Sequence, residues 1–425
     1  MKNVIWITTA LAVLFSYPAA AQIKPNISKE NELRIRLKND FRRADKPSAG
    51  AGRQIYAWVQ GGALDFSSAY FPVDTEHDIF LSVDAGAYYV YKLGARGDMS
   101  TRSYLQSDYQ SFGLTLGSVK LNYGNSFLKI GSFVTDTSWG VKNDLPYSLP
   151  LIDATTVRTL PSISEGALAY VPLTENIDSW WFYRTGQFNY YNPDAKIRKE
   201  GFFSPPDDLE RHPSYIGAIS YGGESGRYSI GIRAQEDVAT SFMLKADSSK
   251  FDLANNNDKW MWQLMTFYGV LDGKSQEQPD IIYDDTTAIS GQVTYFTGDW
   301  SFYANAGYLT HAQTAVDTDL GFPYSLSIDR NHEGMQSYQV GATYQALDNL
   351  TVFVAPIITD GYESQKRDIK VKGKGVNVGM IYKPLSNLTW LLMADRMYED
   401  RDGSSLGDKL DYWDIKSVIT YDFTL

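Results

Sequence analysis

Near the start of the chain, positively charged residues alternate with aliphatic residues. In the segment 32–41, the cations occupy every second position: Arg34, Arg36 and Lys38. A spacing of two places alternate side chains on opposite faces of a β-strand. The spacing therefore predicts a strand with fixed positive charge on one face, and such charge acts on anions without covalent chemistry.

Residue types that support covalent catalysis are present but do not form a recognisable motif. The four histidines all fall in predicted links or near strand ends: His77, His212, His311 and His332. No nucleophile elbow, zinc-binding pair, phosphate loop or dinucleotide fingerprint accompanies them. A lipid hydrolase would need a Ser-His pair, for which the candidates are His311 and His332 beside Ser325 and Ser327. Ordinary loop residues are the alternative that we favour, so we expect no enzyme activity, no cofactor and no metal site.

Composition narrows the possible classes of protein. The chain has no cysteine, which removes disulfides, thiolate metal ligands and cysteine nucleophiles. The formal net charge of −11 disfavours nucleic acid as a partner, because nucleic acid requires a basic surface. A negative mean hydropathy stands beside 14% aromatic residues. This combination suits strands in which only alternate residues face lipid.

The N-terminal residues have the three parts of a secretory leader. Lys2 supplies the positive charge, residues 4–15 form the apolar run, and small residues for cleavage follow at Ala19, Ala20 and Ala21. We expect residues 1–21 to be removed. Residues 22–425 are expected to form a single domain, since no linker or change of composition divides them.

The rest of the chain reads as about 18 short alternating segments. Short links contain Gly, Asn, Asp or Pro, as at 124–125, 298–299 and 384–387, and long links lie at 134–164, 191–212, 272–285, 313–335 and 359–372. Short and long links are expected to alternate along the chain, with aromatic residues at the segment ends. The pattern predicts an all-β fold, a transmembrane antiparallel β-barrel with short periplasmic turns and long extracellular loops.

Several stretches resemble the OprD family of substrate-selective outer-membrane porins, which includes chitoporin-like members. The similar stretches are 33–45 (LRIRLKNDFRRAD), 58–68 (WVQGGALDFSS), 120–131 (KLNYGNSFLKIG) and 158–161 (RTLP). The last strand is similar to the signal that delivers outer-membrane barrels to their assembly machinery, although it ends in Leu425 where an aromatic residue is usual. The resemblance implies a porin of about eighteen strands in a Gram-negative outer membrane.

The cations of the first strand face the lumen if its aliphatic residues face lipid. Charge on the lipid side would cost about 2–4 kcal/mol per residue at the membrane centre. The same reasoning places further cations inside: Lys129, Arg233, Lys245 and Lys416. Porins of the OprD family guide carboxylate groups along a line of basic wall residues, and the resemblance implies a similar ladder here. The alternative is that these cations only neutralise lumenal acids, namely Asp84, Asp247 and Asp414.

The link 134–164 is the longest and carries charged and aromatic residues: Trp139, Lys142, Asp144, Asp153 and Arg158. The resemblance implies that it folds inward as a constriction, and an exposed loop is the alternative. The segment 180–191 cannot be assigned a face, because Arg184 lies on the opposite parity from Gln187 and Asn189. A β-bulge would explain this mismatch.

These observations together predict a porin for passive, partly selective diffusion of small polar solutes, with amino acids, short peptides and other carboxylates first. A porin for chitooligosaccharide-type sugars is the next alternative, because several aromatic residues are expected to face inward: Phe80, Tyr88, Phe267, Phe296 and Tyr303. A lipid hydrolase, an adhesin and a structural barrel are the remaining alternatives. The expected partners are outer-membrane lipid and lipopolysaccharide and the barrel assembly machinery, and the barrel is expected to be a monomer or a homotrimer.

Overall fold

A computed structural model describes residues 30–45, 54–96, 111–135, 163–188, 198–199, 212–252, 258–271, 285–311, 333–363, 367–401 and 409–425, together with residues 273, 403 and 404. The elements in these residues are 21 β-strands. None of the residues described belongs to a helix long and apolar enough to cross a membrane.

The strands of the main sheet, in chain order, are β1 (Glu32–Asp45), β2 (Gln54–Ser67), β4 (Ile79–Arg96), β5 (Ser111–Tyr123), β6 (Ser126–Val134), β7 (Ile163–Pro172), β8 (Ile177–Phe188), β10 (Ser214–Gly223), β11 (Gly226–Gln235), β12 (Ala239–Ser248), β14 (Lys259–Leu271), β15 (Thr286–Thr297), β16 (Trp300–Leu309), β17 (Glu333–Leu347), β18 (Leu350–Tyr362), β19 (Lys370–Leu385), β20 (Leu388–Asp400) and β21 (Lys409–Thr424). Three short strands are added to their neighbours: β3 (Phe71–Asp74), β9 (Arg198–Lys199) and β13 (Phe251–Asp252).

The 18 longer strands form a closed antiparallel barrel, which confirms the predicted fold. Each pairs with the next along the chain, and β21 pairs with β1 to complete the ring. The backbones of Leu33 and Leu425 exchange two hydrogen bonds at this seam, of 2.8 and 3.1 Å. Closure removes the unpaired strand edges that an open sheet would present.

Side chains alternate between an exposed apolar face and a buried polar face. On β1, Leu37 is 46% exposed while its neighbours Arg36 and Lys38 are 8% and 6% exposed. On β21, Ile415 is exposed while Asp414 is fully buried. A barrel in lipid shows this distribution, with apolar residues outside and polar residues inside.

The turns at one rim are short, and several contain only two residues: 124–125, 224–225, 298–299, 348–349 and 386–387. This rim is periplasmic, and the longer loops lie at the extracellular rim. The predicted alternation of short and long links is wrong at 236–238, because only these residues join β11 to β12 on the extracellular side. Asp237 adopts a φ of 58° there, and the Val238 amide donates to the Gln235 carbonyl at 3.2 Å, which closes a tight turn. Two periplasmic links, 68–78 and 249–258, are also longer than a tight turn, and they contain β3 and β13.

A bulge interrupts the pairing of β7 with β8. Glu165 pairs with Gly186 and Gly166 pairs with Arg184, so Thr185 is an extra residue on β8. An extra residue reverses which parity points inward. The bulge predicted within 180–191 is confirmed, and Arg184 joins the inner face.

Candidate functional site

The periplasmic half of the inner wall pairs two arginines with one carboxylate. Arg36 donates from Nε and Nη2 to the two oxygens of Asp422 at 2.5 and 2.6 Å, and Arg34 Nη2 lies 3.4 Å from Asp422 Oδ2. The register causes this contact, because Arg36 stands directly opposite Asp422 across the seam. On the other side, Arg34 is opposite Asp65 of β2, which accepts a hydrogen bond from the Tyr88 hydroxyl. Arginines and carboxylates therefore alternate around this part of the wall.

Nearer the loops, the same wall carries a buried ionic network. Lys416 Nζ lies 3.9 Å from Asp40 Oδ2, and Arg42 Nε lies 3.0 Å from both oxygens of Asp414, which Nη2 also contacts. Asp40 and Asp414 are 1% and 0% exposed. Lys38 is also buried, between this network and the arginine pair. Two cations and two carboxylates balance in this network, so its charges are largely neutralised at close range.

Two lysines lie opposite one another across β5 and β6. Lys120 and Lys129 are cross-strand partners. Lys129 Nζ is 2.7 Å from Asp84 Oδ2, while Lys120 Nζ lies 5.0 Å from the ring centre of Tyr70 and 5.6 Å from that of Phe127. A carboxylate therefore neutralises Lys129, whereas aromatic faces contribute to holding Lys120.

A second group of inner-face cations lies on β8 and β11. Arg184 and Arg233 are 1% and 4% exposed, and Arg233 Nη2 donates to Gln235 at 3.3 Å. Arg184 is opposite Ser214 of β10, and Arg233 is opposite Ile216. Since Ser214 and Ile216 are adjacent on one face of β10, the two arginines occupy neighbouring rows of the inner wall.

The lysine predicted on β12 pairs with a carboxylate on its own strand. Lys245 Nζ is 3.5 Å from Asp247 Oδ2, and Gln263 Nε2 donates to Asp247 at 2.9 Å. The side chains of Lys245 and Asp247 are 35% and 31% exposed. Both groups are thus more accessible than the ion pairs on β1.

The structure brings each of the three predicted acids next to a cation. Asp84 and Asp247 contact cations that were predicted to face the lumen, whereas Asp414 contacts Arg42, which was not among the predicted residues. The residues predicted for the constriction lie outside the described part of the chain: Trp139, Lys142, Asp144, Asp153 and Arg158.

The charged residues of the inner face that lie outside the predicted set include Arg42, Lys120, Arg184, Asp422, Asp40 and Asp65. Arg42 continues the alternation of Arg34, Arg36 and Lys38, and parity alone could have identified it. Lys120 and Asp422 also share the parity of polar neighbours on their strands. Arg184 could be placed only after the bulge was located.

Two of the aromatic residues expected in the lumen have little free ring surface. Tyr88 is 3% exposed and bonds to Asp65, and Phe267 is 2% exposed within an apolar cluster that includes Met243 and Ala288. Rings in these positions are packed against protein, so they offer little area for stacking with a sugar.

The described residues hold no group of three or more His, Asp or Glu that could bind a metal ion. His311 Nδ1 lies 2.7 Å from Glu333 Oε1, and Arg367 Nη2 lies 3.1 Å from the same oxygen. His311 is therefore part of an ionic cluster. Its proposed hydrolase partners Ser325, Ser327 and His332 lie outside the described residues.

One curated protein is similar to this chain over nearly its whole length. The membrane-associated protein UidC of Escherichia coli (strain K12) is 46% identical over 434 residues, covering 99% of this chain and 98% of that protein. No protein-family model matches the chain.

Solved structures share the barrel at much lower identity. OpdK of Pseudomonas aeruginosa, crystallised with vanillate, has a TM-score of 0.74 at 17% identity and covers 94% of this chain and 100% of that one. A BenF-like porin of Pseudomonas fluorescens Pf-5 has a TM-score of 0.75 at 16% identity, with coverage of 94% and 100%. OccK2 of Pseudomonas aeruginosa, in complex with glucuronate, has a TM-score of 0.73 at 16% identity, with coverage of 94% and 99%.

Proposed function

Because the chain belongs to the family of the membrane-associated protein UidC and is an outer-membrane β-barrel with the fold of OprD-like porins, we propose that it conducts small carboxylates by passive diffusion. Amino acids, short peptides, aromatic acids and sugar acids belong to this class of solute. Fixed charge on the inner wall would attract the carboxylate, and no covalent step is involved.

The observation that carries this proposal is the placement of Arg34 and Arg36 on the inner face of β1, within reach of one carboxylate, Asp422. A solute carboxylate can compete for the same guanidinium groups, because arginine binds carboxylates through several N–H donors. Vanillate and glucuronate, which accompany two of the similar barrels, are both carboxylates.

Two further parts of the proposal concern residues outside the described ranges. Residues 136–162 would narrow the lumen and filter solutes by size and charge, through Trp139, Lys142, Asp144, Asp153 and Arg158. Residues 1–21 would be removed on secretion, leaving 22–425 as one barrel domain that is inserted by the assembly machinery, as a monomer or a homotrimer.

Single-channel recording in planar bilayers tests the proposal directly. The wild-type barrel should carry a steady open current that vanillate and glucuronate block. Replacing both arginines (Arg34→Ala with Arg36→Ala) should weaken the block by about tenfold, given roughly 0.5–1 kcal/mol for each partly solvated charge. The reversal potential in a salt gradient should also move toward cation selectivity.

The matched control is Arg43→Ala, which removes a cation from the outward face of the same strand. Its block and selectivity should equal those of the wild type. A closed, silent wild-type barrel would refute the channel, and an unchanged block in the double variant would refute the guiding role of the arginines. Block by neutral chitooligosaccharides but not by carboxylates would favour the sugar alternative.

A further inference from the structure

Positive charge is unevenly distributed on the outward face of the barrel. Among the strand residues whose side chains the structure describes, the outward-facing lysines and arginines lie on only four adjacent strands, β19, β20, β21 and β1: Lys370, Lys372, Lys374, Arg396, Lys409 and Arg43. All six are near the extracellular ends of their strands. At the corresponding ends of other strands, outward positions hold uncharged aromatic residues: Tyr91, Tyr215, Tyr268, Tyr308 and Tyr338.

The strand register places these charges at the upper edge of an apolar band. Lys374 lies between Ile358 of β18 and Tyr398 of β20. Below Lys374 on the same face of β19 come Val376 and Val378, which are 37% and 44% exposed, and Ile358 is 56% exposed. The cations therefore lie at the extracellular edge of the lipid-facing apolar band. This edge is at the depth of the lipid headgroups in the outer leaflet.

The side chain of Arg396 extends from the apolar band to this depth. Arg396 is paired with Val376 in the band, yet its guanidinium contacts Asp411, with Nη2 to Oδ2 at 2.9 Å and Nε to Oδ1 at 3.2 Å. It also lies 5.4 Å from the ring centre of Tyr398, one row nearer the loops. Long cations with an apolar stem adopt this arrangement where hydrocarbon meets polar headgroups.

Carboxylates accompany part of this surface and leave another part positive. Lys370 pairs with Asp360 at 3.2 Å. Lys372 and Lys374 form no ion pair with any residue in the described ranges, and both are exposed. Lys372 stands between Asp360 and Asp400 in the register, whereas the neighbours of Lys374 are uncharged. Lys374 is therefore the cation best placed to meet an anion from the membrane. Arg396, whose Nε and Nη2 already bind Asp411, adds a second cation one row away on β20.

We propose that Lys374 and Arg396, together with the apolar strip formed by Ile358, Val376 and Val378, bind a phosphorylated glycolipid of the outer leaflet. The phosphate would contact the ammonium and guanidinium groups, and the acyl chains would lie along the strip below them. Charge complementarity favours an anionic headgroup. The adjacent apolar strip favours a lipid over a free anion, because only a lipid gains from contact with it.

Native mass spectrometry of the full-length barrel in detergent tests this site. Lipid A with two phosphates and enzymatically dephosphorylated lipid A serve as probes. The wild type should bind the phosphorylated form at least tenfold more tightly, and Lys374→Gln with Arg396→Gln should remove that preference, because the variant lacks both cations that would contact the phosphates. The control, Lys250→Gln with Lys383→Gln, removes two exposed lysines at the periplasmic rim and should bind as the wild type does.

Two results would overturn the lipid site. One is equal binding of phosphorylated lipid A by the wild type and the Lys374/Arg396 variant. The other is displacement of the lipid by inorganic phosphate at equal concentration, which would show a site for free anions. A normal single-channel current from the double variant shows that it has folded. If the double variant gives no current, Lys374→Gln alone is tested in its place. Since the current reports the lumen and the lipid measurement reports the outer face, failure of one proposal leaves the other standing.

Discussion

At the scale of single residues, the cations of the inner wall differ in how closely buried carboxylates neutralise them. Lys416 and Arg42 contact fully buried carboxylates, while Arg34 and Arg36 share Asp422, whose side chain is 28% exposed. Partly exposed charges act on passing ions more strongly than fully buried pairs do. We therefore propose that solutes interact with Arg34 and Arg36.

Removing the shared carboxylate should strengthen the attraction for anions. Asp422→Asn keeps the shape of the side chain and deletes one negative charge beside two arginines. We expect the reversal potential in a salt gradient to shift toward anion selectivity and block by vanillate to become stronger, opposite to the effect of removing the arginines. The control is Asp348→Asn in an exposed periplasmic turn. A shift toward cations, or none, would contradict this account of the wall.

At the scale of strands, the alternating pattern was sufficient to predict the barrel and the orientation of β1. The pattern failed where a bulge adds a residue to a strand and where a tight turn replaces a long loop. The extra residue Thr185 reverses the inward parity of β8, so the pattern could not assign Arg184 to a face of the strand. No pattern of residues at 236–238 indicated that only three residues join β11 to β12. The partnership of Arg36 with Asp422 depends on the register between the first and last strands, which no local pattern encodes.

The bulge on β8 depends on glycine at its partner position. Gly166 has a φ of 151°, and an added Cβ would lie 2.0 Å from the Tyr183 carbonyl oxygen, so Gly166→Ala must displace one of the two strands. We expect a loss of about 1–3 kcal/mol in the free energy of unfolding. Urea titration of the barrel in lipid vesicles measures it.

The control for this substitution is Gly117→Ala on β5. There, an added Cβ has the Asp84 carbonyl oxygen as its nearest neighbour, at 4.0 Å, and the backbone is not in the left-handed region. Its midpoint of unfolding should stay close to that of the wild type. Equal stability of the two variants would show that the bulge tolerates a side chain at Gly166.

At the scale of the whole molecule, the seam between β1 and β21 is where the ends of the chain meet. Four ionic contacts of the inner wall cross this seam: Arg34 and Arg36 with Asp422, Arg42 with Asp414, and Lys416 with Asp40. The same residues that give the lumen its charge therefore also join the first strand to the last. Charge pairs at this position can specify the register in which the barrel closes.

Breaking one of these pairs should weaken closure more than breaking an exposed pair on the same strands. Asp414 is fully buried, so Asp414→Asn leaves the Arg42 guanidinium without its carboxylate and should lower the free energy of unfolding by about 3–5 kcal/mol. Asp411→Asn removes the carboxylate of the exposed Arg396 pair and should change stability little.

Urea unfolding in lipid vesicles measures the stability of both variants. The double variant Arg42→Met with Asp414→Leu, which removes both charges of the buried pair, is measured beside them. This double variant should recover most of the loss, because a matched apolar pair leaves no buried charge. If Asp414→Asn were no less stable than Asp411→Asn, the seam would be held by backbone hydrogen bonds and apolar packing alone, and the ionic contacts would serve only the lumen.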